Sequence, residues 1–254
     1  MYRHSERVRV RVGARGRRLS VDGTFASYYE PGKVLTGSVW DALAAPLLLL
    51  PPARRRSVLI LGLGGGSAAR LVRALAPRAR IVGVELDREV LRAARRWFDL
   101  DALRLEMVCG DALAYLRGAR GRFDAVIEDV FVGRGRGVHK PDWLPRPGLA
   151  LARRRVARGG ILVSNALDEA PAVAREMARL FPGSVRIDVE GYDNRVFVGG
   201  GRALSGRALR SRVVADPVLA PASAWLSFRR ETAGRSGSTA RRPRPSRGGR
   251  RSRA

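Results

Sequence analysis

The stretch SVLILGLGGGSAARLV, residues 57–72, decides how this chain folds. An apolar run at 58–61 breaks into glycines at 62, 64, 65 and 66 and resumes with Ala68, Leu71 and Val72 at helical spacing. Strand, glycine turn and helix in that order build a nucleotide-binding turn at the carboxyl end of the first strand of an α/β sheet. Glycine permits the tight turn and leaves room for close approach to the backbone. Ser67 is placed to N-cap the helix, which would aim its amides and partial positive charge at a ligand. A glycine cluster after a strand is also compatible with a plain turn, so the residues that follow carry the decision.

Working outward, the pattern repeats. ARIVGVELD (79–87) reads as a second strand, followed by a helix capped by Asp87 with Val90, Leu91, Ala94, Trp97 and Phe98 on one face. LRLEMVCGDA (103–112) is a third strand, FDAVIEDVF (123–131) a fourth, and ILVSN (161–165) a fifth, with helices between them. Residues 133–147 form a glycine-rich, then proline-containing loop. Asp168 would cap the next helix, and SVRIDVE (184–190) and NRVFVGG (194–200) close the sheet as a pair. Such alternation indicates an α/β, doubly wound, Rossmann-like sheet of seven strands, and its closing pair resembles that of a class I methyltransferase-type sheet. Upstream, RVRVRV (7–12) alternates strictly and LSV (19–21) runs into Asp22-Gly23, the signature of a short N-terminal β-hairpin covering an edge. A helix is expected over 37–45. Residues 203–230 read as helical, interrupted by prolines. The expected organisation is an N-terminal β element (1–30), a nucleotide-binding catalytic domain (31–230) and a disordered Arg-rich tail (231–254).

The 254 residues carry a formal net charge of +26, and of the 49 basic residues only Lys33 and Lys140 are lysine. Abundant Arg, Ala and Gly follow GC-rich codon usage, and the arginines are scattered, which suits solvated faces better than one nucleic-acid stripe. Weak polyanion contact through the basic tail is the remaining reading of that charge. The single cysteine, Cys109, allows no intrachain disulfide and fits a reducing cytoplasm. The N-terminus lacks a signal-peptide core, and the longest apolar run, 42–50, is interrupted by Pro46 and too short to cross a membrane.

Three acidic residues fall where strands end. Glu85 lies about 20 residues past the glycine turn, where a carboxylate accepts hydrogen bonds from ribose hydroxyls. Asp111, followed by Ala112, stands where it could accept from an adenine amine, or simply cap the next helix. Asp129 ends the fourth strand, facing a transferred group or merely the loop solvent. Glu128 should point to the other side of the strand, since side chains alternate.

Together these segments resemble the spermidine synthase (polyamine aminopropyltransferase) family and its methyltransferase-fold relatives over about residues 18–200. The resemblance lies in LSVDG, VLILGLGGGSAARL, VGVELDREVLRAARRWF, CGDALAYL, FDAVIEDVF, GGILVSN and DNRVFVGG. It implies a polyamine-biosynthesis transferase using decarboxylated S-adenosylmethionine or S-adenosylmethionine as co-substrate, with no prosthetic group and no metal. Gly62, Gly64, Gly65, Gly66, Glu85, Asp111 and Ala112 would hold the nucleotide and Asp129 would be the base toward an amine or polyamine acceptor. A homodimer is also implied. The chain departs from the family pattern at three places. The family's second aspartate, three positions after the catalytic one, is replaced by Val132. Its glycine-loop aspartate is missing, and its Tyr-His-Glu run is represented by Val39, Trp40 and Asp41. Aminopropyl transfer, methyl transfer and an inactive nucleotide-binding homologue therefore all remain open, with a nicotinamide enzyme less favoured because Ser67 stands at the last position of G-x-G-x-x-G.

Overall fold

The computed structural model describes residues 2–3 and 7–230; the tail reading for 231–254 lies outside them. Four antiparallel strands form the N-terminal sheet in sequential order: β1 (Tyr2–Arg3), β2 (Val8–Val12), β3 (Arg17–Val21) and β4 (Thr24–Tyr29). Asp22 and Gly23, both at positive φ, make the two-residue β3–β4 turn their chemistry suggests. The main sheet contains β5 (Ser57–Leu61), β6 (Arg80–Glu85), β7 (Glu106–Cys109), β8 (Phe123–Glu128), β9 (Val156–Ala166), β10 (Gly183–Val189), β11 (Arg195–Gly200) and β12 (Leu226–Arg230). Its order is β12-β10-β11-β9-β8-β5-β6-β7, with the five strands from β9 to β7 parallel and the last three to join antiparallel.

Helices α1 (Val39–Ala44), α2 (Ser67–Leu75), α3 (Arg88–Trp97), α4 (Ala112–Gly118), α5 (Gly148–Arg154), α6 (Ala170–Leu180) and α7 (Gly206–Ala215) cover both faces. The period of two in β5 sorts its side chains. Val58 and Ile60 enter the core under α1, α2 and α7, whereas Leu59 and Leu61 enter the core under α4, α5 and α6. All four are buried, which is why the run reads as continuously apolar.

The doubly wound α/β class is as expected, and four details differ. The main sheet has eight strands rather than seven, because residues 226–230 pair with the edge of β10 instead of continuing a helix. α7 ends at Ala215, before Pro217, and Pro221 opens only a short 3-10 turn; a five-residue alternation of Leu226 and Phe228 is too short to stand out beside the Ala-rich segment before it. The N-terminal element is a meander, not a hairpin, and its apolar face does not cover a sheet edge. Val8, Val10 and Leu19 pack on Val90, Ala93 and Phe98 around α3. Gly66, not Ser67, is the N-cap of α2, at φ +84°. The Ser67 hydroxyl is instead spent on β4, accepting from Tyr28 N at 2.9 Å and donating to Tyr28 O at 2.8 Å. Glu169 rather than Asp168 occupies the N-cap of α6. Among the described residues no helix is long and apolar enough to cross a membrane.

Candidate active site

A cleft of about 570 Å³ opens at the carboxyl ends of the parallel strands, with the N-terminal meander as its second wall. This is the expected ligand position in a doubly wound sheet, at the switch point where β5 leads to β6 on one side and the chain returns from β7 to β8 on the other. Reading across the sheet, Asp129 follows β8, the glycine turn follows β5, Glu85 ends β6, and Asp111 follows β7. All four line the one cleft, the turn through Gly62 and Gly64.

The glycine turn is locked by its own protein. The amides of Gly62 and Leu63 both bond Val84 O at 3.0 Å, and Gly66 N bonds Leu63 O at 3.0 Å. Gly64 N donates to Glu85 Oε2 at 2.8 Å, and Gly65 N to Ser27 Oγ at 2.6 Å. Five consecutive amides are therefore already partnered, leaving no nest of free donors of the kind that cradles a phosphate. The absent side chains matter for packing as much as for ligand approach: a Cβ on Gly64 or Gly65 would strike Ser27, and one on Gly66 the Leu100 side chain. Gly65 and Gly66 are buried and lie outside the cleft, whereas Gly62 and Gly64 face it. At Gly62, φ is +81° and an added Cβ would collide with the Asp129 carbonyl. Gly62→Ala should accordingly lower unfolding free energy by about 1–3 kcal/mol. Urea denaturation measures it, and an unchanged midpoint would refute the close approach of these two strand ends.

Glu85 is half-buried. Its carboxylate accepts from Gly64 N and from Asp87 N, the latter at 3.1 Å, so one group ties the glycine turn to the start of α3. Burial pushes its carboxyl above the ordinary value against the pull of those amides. Each oxygen keeps a lone-pair direction for a further donor. Asp111 is exposed and N-caps α4, accepting from Ala114 N at 2.7 Å, so its capping role is realised while it still lines the cleft. Ala112 lies beside it, and Leu86, 66% exposed, offers an apolar face in the same part of the cleft.

Asp129 is held rather than free. Asn165 Nδ2 donates to its Oδ1 at 2.8 Å, and Asn194 Nδ2 donates to Asn165 Oδ1 at 3.0 Å, a relay that fixes the amide's orientation. Burial drives the Asp129 carboxyl up to about 6, and the neighbouring Glu128 charge adds to this; Asn165, Lys140 and Trp40 pull the other way. Glu128 points away, as strand alternation requires, and is fully buried. Its Oε1 meets Lys140 Nζ at 2.6 Å and Val130 N at 2.8 Å, and its Oε2 accepts from Ser164 Oγ at 2.6 Å. Lys140 Nζ also donates to Val130 O at 3.0 Å and lies 4.0 Å from the Phe131 ring centroid. The glycine-rich segment between them is drawn across the mouth. Val132 and His139 exchange backbone hydrogen bonds at 2.8 and 2.9 Å, and Gly135 N reaches Asp22 O at 3.1 Å on the meander.

Of the sequence-derived candidates, Gly62, Gly64, Glu85, Asp111, Ala112 and Asp129 come together on this cleft. Asp41 does not: it is buried at the start of α1, accepting from Thr36 N, Thr36 Oγ1 and Ser38 N. Trp40, Asn165, Asn194 and Lys140 escaped the sequence reading as site residues. Each lay in view: Trp40 beside Asp41, Asn165 and Asn194 within the resembling segments GGILVSN and DNRVFVGG, and Lys140 as one of two lysines in an arginine-rich chain.

Residues 58–142 match the family model described as "Methyltransferase domain". A "Probable polyamine aminopropyl transferase" of Bifidobacterium longum is 35% identical over 100 residues, covering 39% of this chain and 22% of that protein. An "eEF1A lysine and N-terminal methyltransferase homolog" of Drosophila pseudoobscura pseudoobscura is 38% identical over 80 residues, 30% of this chain and 12% of its own length. The chain thus matches less than a quarter of the length of either relative. Among solved structures, a probable spermidine synthase from Corynebacterium glutamicum superposes with a TM-score of 0.69 at 21% identity, covering 93% of this chain and 95% of that one.

Proposed function

On this spermidine synthase-like, class I methyltransferase fold, we propose that the cleft binds an adenosyl sulfonium nucleotide and transfers its aminopropyl group to an amine, with Asp129 as general base. The observation that carries the reading is the row of carboxylates in a chain of net charge +26: Asp129, Glu85 and Asp111 flank the glycine turn at the ends of β8, β6 and β7. Among the described residues none of the three has an ion pair, unlike Asp22 and Asp87, which share Arg7. Such a row suits a cationic ligand. Glu85 would accept from the ribose hydroxyls, Asp111 from the adenine amine, and Leu86 would cover the purine face. The partnered glycine-turn amides argue against a dinucleotide, whose pyrophosphate needs such donors.

The chemistry requires a base. An alkylamine with a pKa near that of lysine, about 10.4, is mostly protonated at neutral pH and lacks a free lone pair. Asp129, at about 6, is ionised there and can orient the ammonium and take its proton. The amine nitrogen then attacks the carbon beside sulfur. The C–N bond forms, the C–S bond breaks with its electron pair returning to sulfur, and a neutral thioether nucleoside leaves. Methyl transfer from intact S-adenosylmethionine is a second reading. It is favoured by residues 62–67, which carry no acidic side chain to repel the carboxylate of that donor.

Product mass after incubation with each donor and a panel of amines separates aminopropyl from methyl transfer. Calorimetry with methylthioadenosine tests the nucleotide half. Glu85→Ala should weaken binding by roughly 10- to 150-fold, the loss of a charged hydrogen bond of about 1.5–3 kcal/mol. Glu85→Gln, which keeps an acceptor oxygen, should lose less. Equal affinity in the wild type and Glu85→Ala would sink the assignment.

A further inference from the structure

Apart from Asp129, the charged groups lining the cleft come from two places, and of these Asp22 already pairs with Arg7 and with Arg134 of the segment after Val132. Arg7, Asp22, Glu85, Asp87 and Asp111 come from the meander and from the β6 and β7 ends. The rest of the lining around Asp129 includes Trp40, Phe131, Val132 and Trp143, with Tyr192 and Asn194 as polar members, and among the described residues it holds no further carboxylate. We infer that this part of the lining accepts an amine with one positive charge and an apolar body, and discriminates against diamines. The inference rests on the amine-transfer reading above and names its substrate class.

Three features support it. Asp129 can neutralise one ammonium, and it is the one at the reacting nitrogen, so a second would enter the aromatic wall without an anion. Burying an unpaired charge is strongly unfavourable. Aromatic faces can attract cations, but the Phe131 ring already has such a partner in Lys140 Nζ, 4.0 Å from its centroid. Val132 lines the cleft and is 38% exposed, presenting methyl groups where a distal ammonium would need an acceptor. The same surface favours an alkyl or aryl chain, whose burial against these side chains is driven by removal of apolar area from water.

The experiment compares pentylamine with 1,4-diaminobutane, which have the same number of heavy atoms and differ in a terminal methyl against a terminal ammonium. Their binding to the full chain saturated with methylthioadenosine is measured by calorimetry, so that no transfer step is needed. Pentylamine should bind at least ten-fold more tightly, about 1.4 kcal/mol. Val132→Asp, a change at a partly exposed position, should narrow or reverse that preference. Diamine binding as tight as pentylamine in the wild type overturns the inference and leaves the amine-transfer reading intact, as does a preference that Val132→Asp does not move. Binding of methylthioadenosine with neither amine overturns the amine-transfer reading itself, and the inference with it.

Discussion

Asp129→Asn lowers turnover by about 10²- to 10⁴-fold, the usual contribution of a positioned general base, while nucleotide affinity stays within roughly a factor of ten, about 1.4 kcal/mol. Asparagine preserves the size of the side chain and its contact with Asn165, but cannot take the amine proton. The split between kcat and nucleotide Kd therefore distinguishes a base from a residue that merely shapes the cleft. Retained turnover in the variant would exclude Asp129 as the base. The pH profile of the wild type gives an independent reading. Because burial raises the Asp129 carboxyl to about 6, the active, ionised form predominates above that pH. Turnover should fall tenfold per pH unit below it. An unperturbed aspartate would place this limb near 3.9. Asn165 donates to the carboxylate and so favours its ionised form. Removing that donor with Asn165→Leu should move the limb upward, a shift that a purely structural amide would not produce.

Lys140→Met costs about 3–5 kcal/mol of stability, the penalty for leaving a buried charge without its partner. The Lys140 and Glu128 side chains are 0% and 1% exposed and meet at 2.6 Å. Ser164, Val130 N and the ammonium are the donors to this carboxylate, and at 1% exposure bulk solvent does not reach it to replace a lost partner. The long aliphatic stem of lysine reaches this site from the far end of the loop, and methionine keeps most of that stem, so the expected loss reflects the charge rather than a cavity. Urea denaturation of the single variant and of Lys140→Met with Glu128→Gln checks the account. The double variant should recover part of the loss, and a single-variant loss below about 1 kcal/mol would refute the burial of an intact pair. Since the same lysine holds Val130 O, the stretch directly after Asp129 should also loosen.

Much of this site was legible because its backbone is local. The Asp22-Gly23 turn, the apolar run of β5, the glycines after it and the acids at 85, 111 and 129 follow from side-chain period and turn chemistry within a few residues of each. The partners of those residues were not legible. Ser27 takes the Gly65 amide from 38 residues away, and Asn165 reaches Asp129 from 36 away. Parallel pairing of β8 with β9 sets Glu128 opposite Ser164, and pairing of β9 with β11 brings Asn194 within reach of Asn165. Nothing in the composition of FDAVIEDVF distinguishes a register that does this from one that does not. The eighth strand was missed for a related reason, since the open edge of β10 that recruits residues 226–230 exists only once the sheet has formed.

The sequence by itself determined the alternation of strands and helices, and that three carboxylates stand at strand ends around a glycine turn, because periodicity and tight turns are properties of neighbouring residues. Only the tertiary structure decided which of the turn's amides are spent, that Glu128 is buried in an ion pair with Lys140, and that burial raises the Asp129 pKa while Asn165 holds its carboxylate. Desolvation and hydrogen-bond partnership depend on what packs within a few ångströms in space, and here those neighbours, Ser27, Trp40, Lys140, Asn165 and Asn194 among them, come from widely separated parts of the chain.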